Sequence, residues 1–82
     1  MKIIIYTKTG CPWCREVLEF FKDRKILFEE REVLGNQNYW REMMAKSGQT
    51  KAPVVEIDGF ILADTDAAAV AKYLDGVGSA TL

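Results

Sequence analysis

The residue pattern predicts an α/β domain in which a four-stranded mixed β-sheet is flanked by three helices, in the order β-α-β-α-β-β-α. Three observations carry that expectation. A β-branched run from Lys2 to Thr7, an amphipathic helical repeat and a second strand-like run make a βαβ unit whose strands should be parallel. Asp58-Gly59 lies between two apolar stretches, the strongest hairpin signal in the chain. After Asp64-Thr65-Asp66 the apolar residues fall into helical register.

Lys2 to Thr7 (KIIIYT) reads as a buried strand bounded by Gly10. From Cys11 onward Pro12 suits a first helical turn, and Cys14, Val17, Leu18 and Phe21 share one helical face over about three turns. Ile26 to Val33 (ILFEEREV) is expected as an edge strand whose charges, Glu29 to Glu32, form a solvated rim that discourages pairing with other chains. Gln37 to Ser47 is expected to be a helix packing through Trp40, Met43 and Met44 and ended by Gly48. Pro53 to Asp58 and Phe60 to Ala63 form the antiparallel hairpin. Asp64, Thr65 and Asp66 then supply caps for a last helix carrying Ala67, Val70, Ala71, Leu74 and Val77 on one side. Residues 76–82 are expected to fray.

Eighty-two residues correspond to a single domain, residues 1–82, and 28% charge with 49% apolar content is the composition of an ordinary folded chain. Eleven basic residues against twelve acidic ones leave no surplus to track a phosphate backbone, so nucleic acid is not an expected partner. The apolar stretch near Met1 is too short for a secretory leader, and no run reaches the ~18 residues a membrane span needs. A cytoplasmic location, no membrane partner and a monomeric state are expected. Two cysteines do not make a secreted disulfide framework.

The two are Cys11 and Cys14, around Pro12 and Trp13. Cysteines placed at random in such a chain would take this spacing roughly one time in forty. The pair lies where a strand hands over to a helix N-terminus, whose dipole, unpaired N–H groups and nearby cations (Lys8, Arg15) favour the thiolate, the nucleophilic form. Cys11, at the exposed end, is therefore the expected nucleophile, and Cys14, on the apolar face, the resolving thiol. One helical turn apart, they can close a disulfide, which needs Cα atoms about 4.4 to 6.8 Å apart. Pro12 fixes φ and removes a donor, while Trp13 offers a flat apolar surface beside the sulfur. One Cys-x-x-Cys pair without histidine supplies only half of a closed metal site, so no metal is expected within one chain.

Tyr6-Thr7-Lys8 leading into Cys11-Pro12-Trp13-Cys14, then Ala52-Pro53-Val54-Val55, then Ile57-Asp58-Gly59 before Asp64-Thr65-Asp66 together resemble the glutaredoxins of the thioredoxin superfamily, from Lys2 to about Leu74. The resemblance implies a thioredoxin-like, glutaredoxin-type fold and a dithiol oxidoreductase that reduces protein disulfides or glutathione mixed disulfides. It implies that Pro53 is cis and faces the disulfide, with Ala52 pairing its main chain to the substrate. It places Lys8 and Gln49, with Lys51 as a weaker candidate, near the glycine carboxylate of glutathione, and Thr65 with Asp66 near its γ-glutamyl end. Glutathione is then the reductant or co-substrate, with no tightly bound cofactor. Where the family usually has Gly-Gly this chain has Ala63-Asp64, which sets a second carboxylate near a negatively charged tripeptide. Ala-Pro-Val-Val is also similar to the NrdH-type redoxins, which implies thioredoxin reductase as the alternative electron donor. Two further readings are an iron-sulfur carrier shared between chains, against which Pro12 argues by the same resemblance, and an interaction domain with silent cysteines.

Overall fold

The computed structural model describes residues 1–80, and β1 (Ile3–Thr7) is its centre. Ile3, Ile5 and Ile4, Tyr6 point to opposite faces, and every residue of the strand is buried. This is why its sequence is continuously apolar instead of alternating. On one face Ile3 and Ile5 join Val17, Phe21, Val55, Ile57 and Val70, while on the other Ile4 and Tyr6 join Val33, Met43 and Val54. The sheet is thus covered on both sides.

Strand order is β2-β1-β3-β4, with β2 (Glu29–Glu32) parallel to β1, β3 (Val54–Ile57) antiparallel to β1, and β4 (Phe60–Leu62) antiparallel to β3. With α1 (Pro12–Asp23), α2 (Gln37–Ser47) and α3 (Ala67–Ala80), the mixed sheet and three helices take the expected order. The hairpin turn is Asp58-Gly59 with φ of 49° and 88°, the two positive angles a tight two-residue connection demands. Among the described residues no helix is long and apolar enough to cross a membrane.

The edge strand is shorter than Ile26 to Val33. After α1 the chain turns through Lys25 at φ 57°, and Ile26 N–H donates to Phe21 O at 3.0 Å, so Ile26 closes the helix end. Ile26 and Phe28 pack against the first core cluster, whereas Leu27 is 90% exposed. That apolar run seals the bottom of a helix, and pairing with β1 begins only at Glu29. In α2, Asn36 caps the start and Gly48, at φ 72°, ends it. Met43 is buried and Trp40 half-buried, but Met44 is exposed, and Tyr39 packs in its place. Four residues before Met43, Tyr39 lies on the same side of the helix, whereas Met44 is turned about a quarter-turn away. The third helix is described as far as Ala80, a span that takes in Gly76 and Gly78. Each glycine costs about 1 kcal/mol there, but extending an existing helix adds a hydrogen bond per residue. The rest of the expected frayed end, residues 81–82, lies outside the described residues.

Candidate active site

The carboxyl end of β1 delivers the chain to α1 through the turn Lys8–Gly10, closed by Cys11 N–H donating to Lys8 O at 3.2 Å. Gly10 takes φ 83°, a conformation other residues adopt with strain. Cys11 is the N-cap of α1, in extended backbone, and Pro12 is the first helical residue. The Cys11 sulfur accepts the Cys14 backbone N–H at 3.2 Å. An N-terminal N–H and the positive end of the helix dipole thus face Sγ, and both interactions strengthen when the sulfur carries charge.

The two thiols differ in their surroundings. Cys11 is half-buried, with Sγ 4.0 Å from the Ala52 carbonyl oxygen, whereas Cys14 is 2% exposed and faces the core with Val17 and Phe21. Burial pushes the Cys14 thiol up to about 12, helped by its hydrogen bond to Cys11 and the neighbouring charge there, against a smaller downward pull from the Lys8 backbone. At neutral pH Cys14 is therefore a protonated thiol.

Cys11 opens onto a cleft of about 500 Å³. Pro12 and Trp13 form one lip, and Trp13 is 59% exposed. The wall opposite is built by the loop before β3, where the Ala52–Pro53 peptide bond is cis, Pro53 is buried and its carbonyl accepts the Thr65 N–H at 3.0 Å. Ala52, Thr65 and Asp66 line the cleft. Lys8 and Lys51 bring positive charge to it, and Asp64 and Asp66 bring negative charge. The Lys8 ammonium lies 5.1 Å from the centroid of the Trp40 ring, so a residue expected only to pack also seats a cation of the cleft. Asp66 caps α3 through Ala69 N–H at 2.8 Å, while Asp64 reaches the rim at φ 47°.

Of the residues singled out in the sequence, Lys8, Cys11, Pro12, Trp13, Ala52, Thr65 and Asp66 converge on this cleft. Cys14 and Pro53 lie behind it. Gln49 does not join them: its amide donates to Lys51 O at 2.9 Å and Ser47 Oγ at 3.3 Å, and its oxygen accepts the Lys51 N–H. The amide is spent on shaping its own loop.

Two residues of the supposed solvated rim are built into the site's support. Glu30 accepts the Thr7 hydroxyl at 2.8 Å, and Glu32 accepts both the backbone N–H and the hydroxyl of Thr9 at 2.8 and 3.0 Å. The signal was a shared period of two, Thr7 and Thr9 in one strand's line and Glu30 and Glu32 in the other's. Arg31, on the opposite face, holds Glu29 and Glu42 and reaches the Tyr6 hydroxyl at 3.4 Å. Among the described residues no three His, Cys, Asp or Glu side chains group as metal ligands.

The family model described as Glutaredoxin matches residues 3–62. Among curated proteins the chain is 33% identical over 73 residues to a glutaredoxin-like 8.6 kDa protein in the rubredoxin operon of Clostridium pasteurianum, covering 89% of this chain and 97% of that one. It is 35% identical over 54 residues to glutaredoxin 3 of Escherichia coli, covering 66% and 65% of the two chains. Among solved structures, a thioredoxin-like protein superposes with a TM-score of 0.79 at 27% identity, over 85% of this chain and 96% of that one. The glutaredoxin-like NrdH-redoxin of Escherichia coli superposes with a TM-score of 0.68 at 26% identity, over 76% and 80%. With the family model spanning β1 to β4, and the dithiol at the helix start inside that span, this thioredoxin-fold redox protein belongs to the glutaredoxin family.

Proposed function

We propose that the chain is a dithiol thiol-disulfide oxidoreductase that reduces protein disulfides or glutathione mixed disulfides, with Cys11 as nucleophile and Cys14 as resolving thiol. The observation that carries this reading is the Cys11 sulfur capping α1 at the mouth of a cleft while Cys14 stays buried behind it. The Cys11 thiolate attacks one sulfur of the substrate disulfide, forming a mixed disulfide and expelling the other sulfur as a thiolate that takes up a proton. Cys14 then attacks the Cys11 sulfur, giving up its proton, and the second substrate thiol leaves with both electrons of the reduction delivered. Burial is the main cause that keeps Cys14 protonated, but the hydrogen bond to Cys11 and the charge there vanish once Cys11 is a disulfide. The resolving thiol thus becomes easier to deprotonate when it is needed.

Pro12, Trp13 and Pro53 shape the reactive surface, and the Ala52 backbone lies where a bound thiol compound would run. Lys8, with Lys51, offers charge to a carboxylate of glutathione, and Thr65 with Asp66 receives its other end. Gln49 acts on this cleft through the Lys51 loop. Two glutathione thiols would restore the dithiol, and the cytoplasm would supply them.

Asp64 favours a second electron donor. Its carboxylate beside Asp66 repels the γ-glutamyl carboxylate that glutathione would bring to that end of the cleft. The NrdH-redoxin structure is described by that protein's thioredoxin-like activity profile, and on this reading the present chain takes electrons from thioredoxin reductase. The test compares NADPH-coupled turnover supported by glutathione and its reductase with turnover supported by thioredoxin reductase. Glutathione-supported turnover, raised about threefold by Asp64→Asn, favours the first donor, and turnover with thioredoxin reductase alone favours the second. Undiminished turnover by Cys11→Ser with either donor sinks both readings.

A further inference from the structure

Glu32, the last residue of the edge strand, holds two loops at once. One carboxylate oxygen accepts the Thr9 N–H at 2.8 Å and the Thr9 hydroxyl at 3.0 Å, and the other accepts the Gly35 N–H at 2.7 Å. These donors, Gly35 first and Thr9 next, hold the carboxyl below the usual carboxylate range. The anchored residue, Thr9, lies in the Lys8–Gly10 turn, where Thr9 and Gly10 are exposed and Gly10 has φ 83°. That turn lines a small cleft together with Cys11 and Cys14, and its Lys8 main chain joins it to the start of α1. The Lys8 carbonyl accepts the Cys11 N–H at 3.2 Å, and the Lys8 backbone draws the Cys14 thiol down against its burial.

We propose that Glu32 is a positioning residue for the dithiol: by clamping Thr9 it fixes the Lys8–Gly10 turn, and with it the approach of the Cys14 sulfur to Cys11 when a mixed disulfide is resolved. The inference rests on the reading of Cys14 as the resolving thiol. In that step the Cys14 sulfur forms a bond to Cys11 Sγ, the bond from Cys11 to the substrate sulfur breaks, and the Cys14 proton goes to the departing thiolate. An intramolecular step of this kind depends steeply on how the two atoms are held. The first attack, on a disulfide arriving from solvent, makes no such demand on the turn.

Dithiobis(nitrobenzoate), a chromogenic disulfide, separates the two steps, because mixing it with the reduced protein releases one coloured thiolate at the first attack and a second at resolution. Glu32→Ala is expected to slow the second release about tenfold while leaving the first within about twofold. Glu32→Gln keeps a single acceptor oxygen and so one of the two anchors, and is expected to slow resolution about threefold. Glu29→Gln, the same charge change at the far end of the strand, serves as the control, with both steps unchanged. Thermal unfolding of each variant reports on folding. Unaltered resolution in both Glu32 variants overturns the proposal, as does slowing of both steps together in proportion to lost thermal stability. Absence of any first release is a different failure, that of Cys11 as the nucleophile.

Discussion

The N-termini of α1 and α2 are built alike and serve different ends. Cys11 and Asn36 both sit in extended backbone, at φ −92° ψ 112° and φ −149° ψ 108°, and each side chain accepts the N–H of the residue three further on, Cys14 or Tyr39. At α2 the acceptor is an amide oxygen, and the bond does no more than begin a helix. At α1 the acceptor is a sulfur opening on a cleft, and under the proposed function that same capped sulfur is the atom that attacks. On the proposed function, a common structural device becomes chemical through the choice of capping atom and of what lies in front of it.

Exchanging the capping atom separates the two roles. Cys11→Ser places a good capping hydroxyl at the same position, so the melting temperature should stay within about 2 °C while turnover falls by at least about a thousandfold. Asn36→Ala should do the reverse. Loss of that cap costs about 1 kcal/mol, which in a domain of this size lowers the melting temperature by about 5 °C and leaves turnover within about twofold. If Cys11→Ser melts much earlier than Asn36→Ala, the sulfur is holding the fold instead of serving the reaction.

A smaller effect concerns the residue that donates to the cap. The Cys14 thiol is raised from 9.0 to about 12 in the folded chain, by burial first and then by its hydrogen bond to Cys11. A thiol whose folded value is raised binds its proton more tightly when folded. Its contribution is complete below pH 9 and is lost as pH climbs from there towards 12. Denaturant unfolding across that window should show stability declining with pH, by an amount on the order of 1 kcal/mol or more, and declining less in Cys14→Ala.

Much of this was legible in the sequence because the signals were local. The Asp58-Gly59 turn, the apolar spacing of Cys14, Val17 and Phe21, and the Cys-Pro-Trp-Cys run each declare themselves within a few residues. Ile26 to Phe28 misled because an apolar run says that it is buried without saying what it covers, and here part of it closes a helix. Met44 shows the same limit at the scale of one residue, since the choice between it and Tyr39 depends on the angle at which α2 meets the sheet. Glu30 and Glu32 looked like solvent-facing charge because their partners, Thr7 and Thr9, are twenty-three residues away. Gln49 hydrogen-bonds within its own loop, to Ser47 and Lys51, a pairing set by the fold of the loop that the residue type alone does not announce.

Under the proposed function one thiol of the pair is presented for reaction while the other is withheld. Brief treatment of the reduced, native protein with iodoacetamide at neutral pH, followed by peptide mass spectrometry, tests it most directly. Label on Cys11 with Cys14 unmodified until the chain is unfolded is the predicted result; label on Cys14 in the native protein, or an unreactive Cys11, would contradict it.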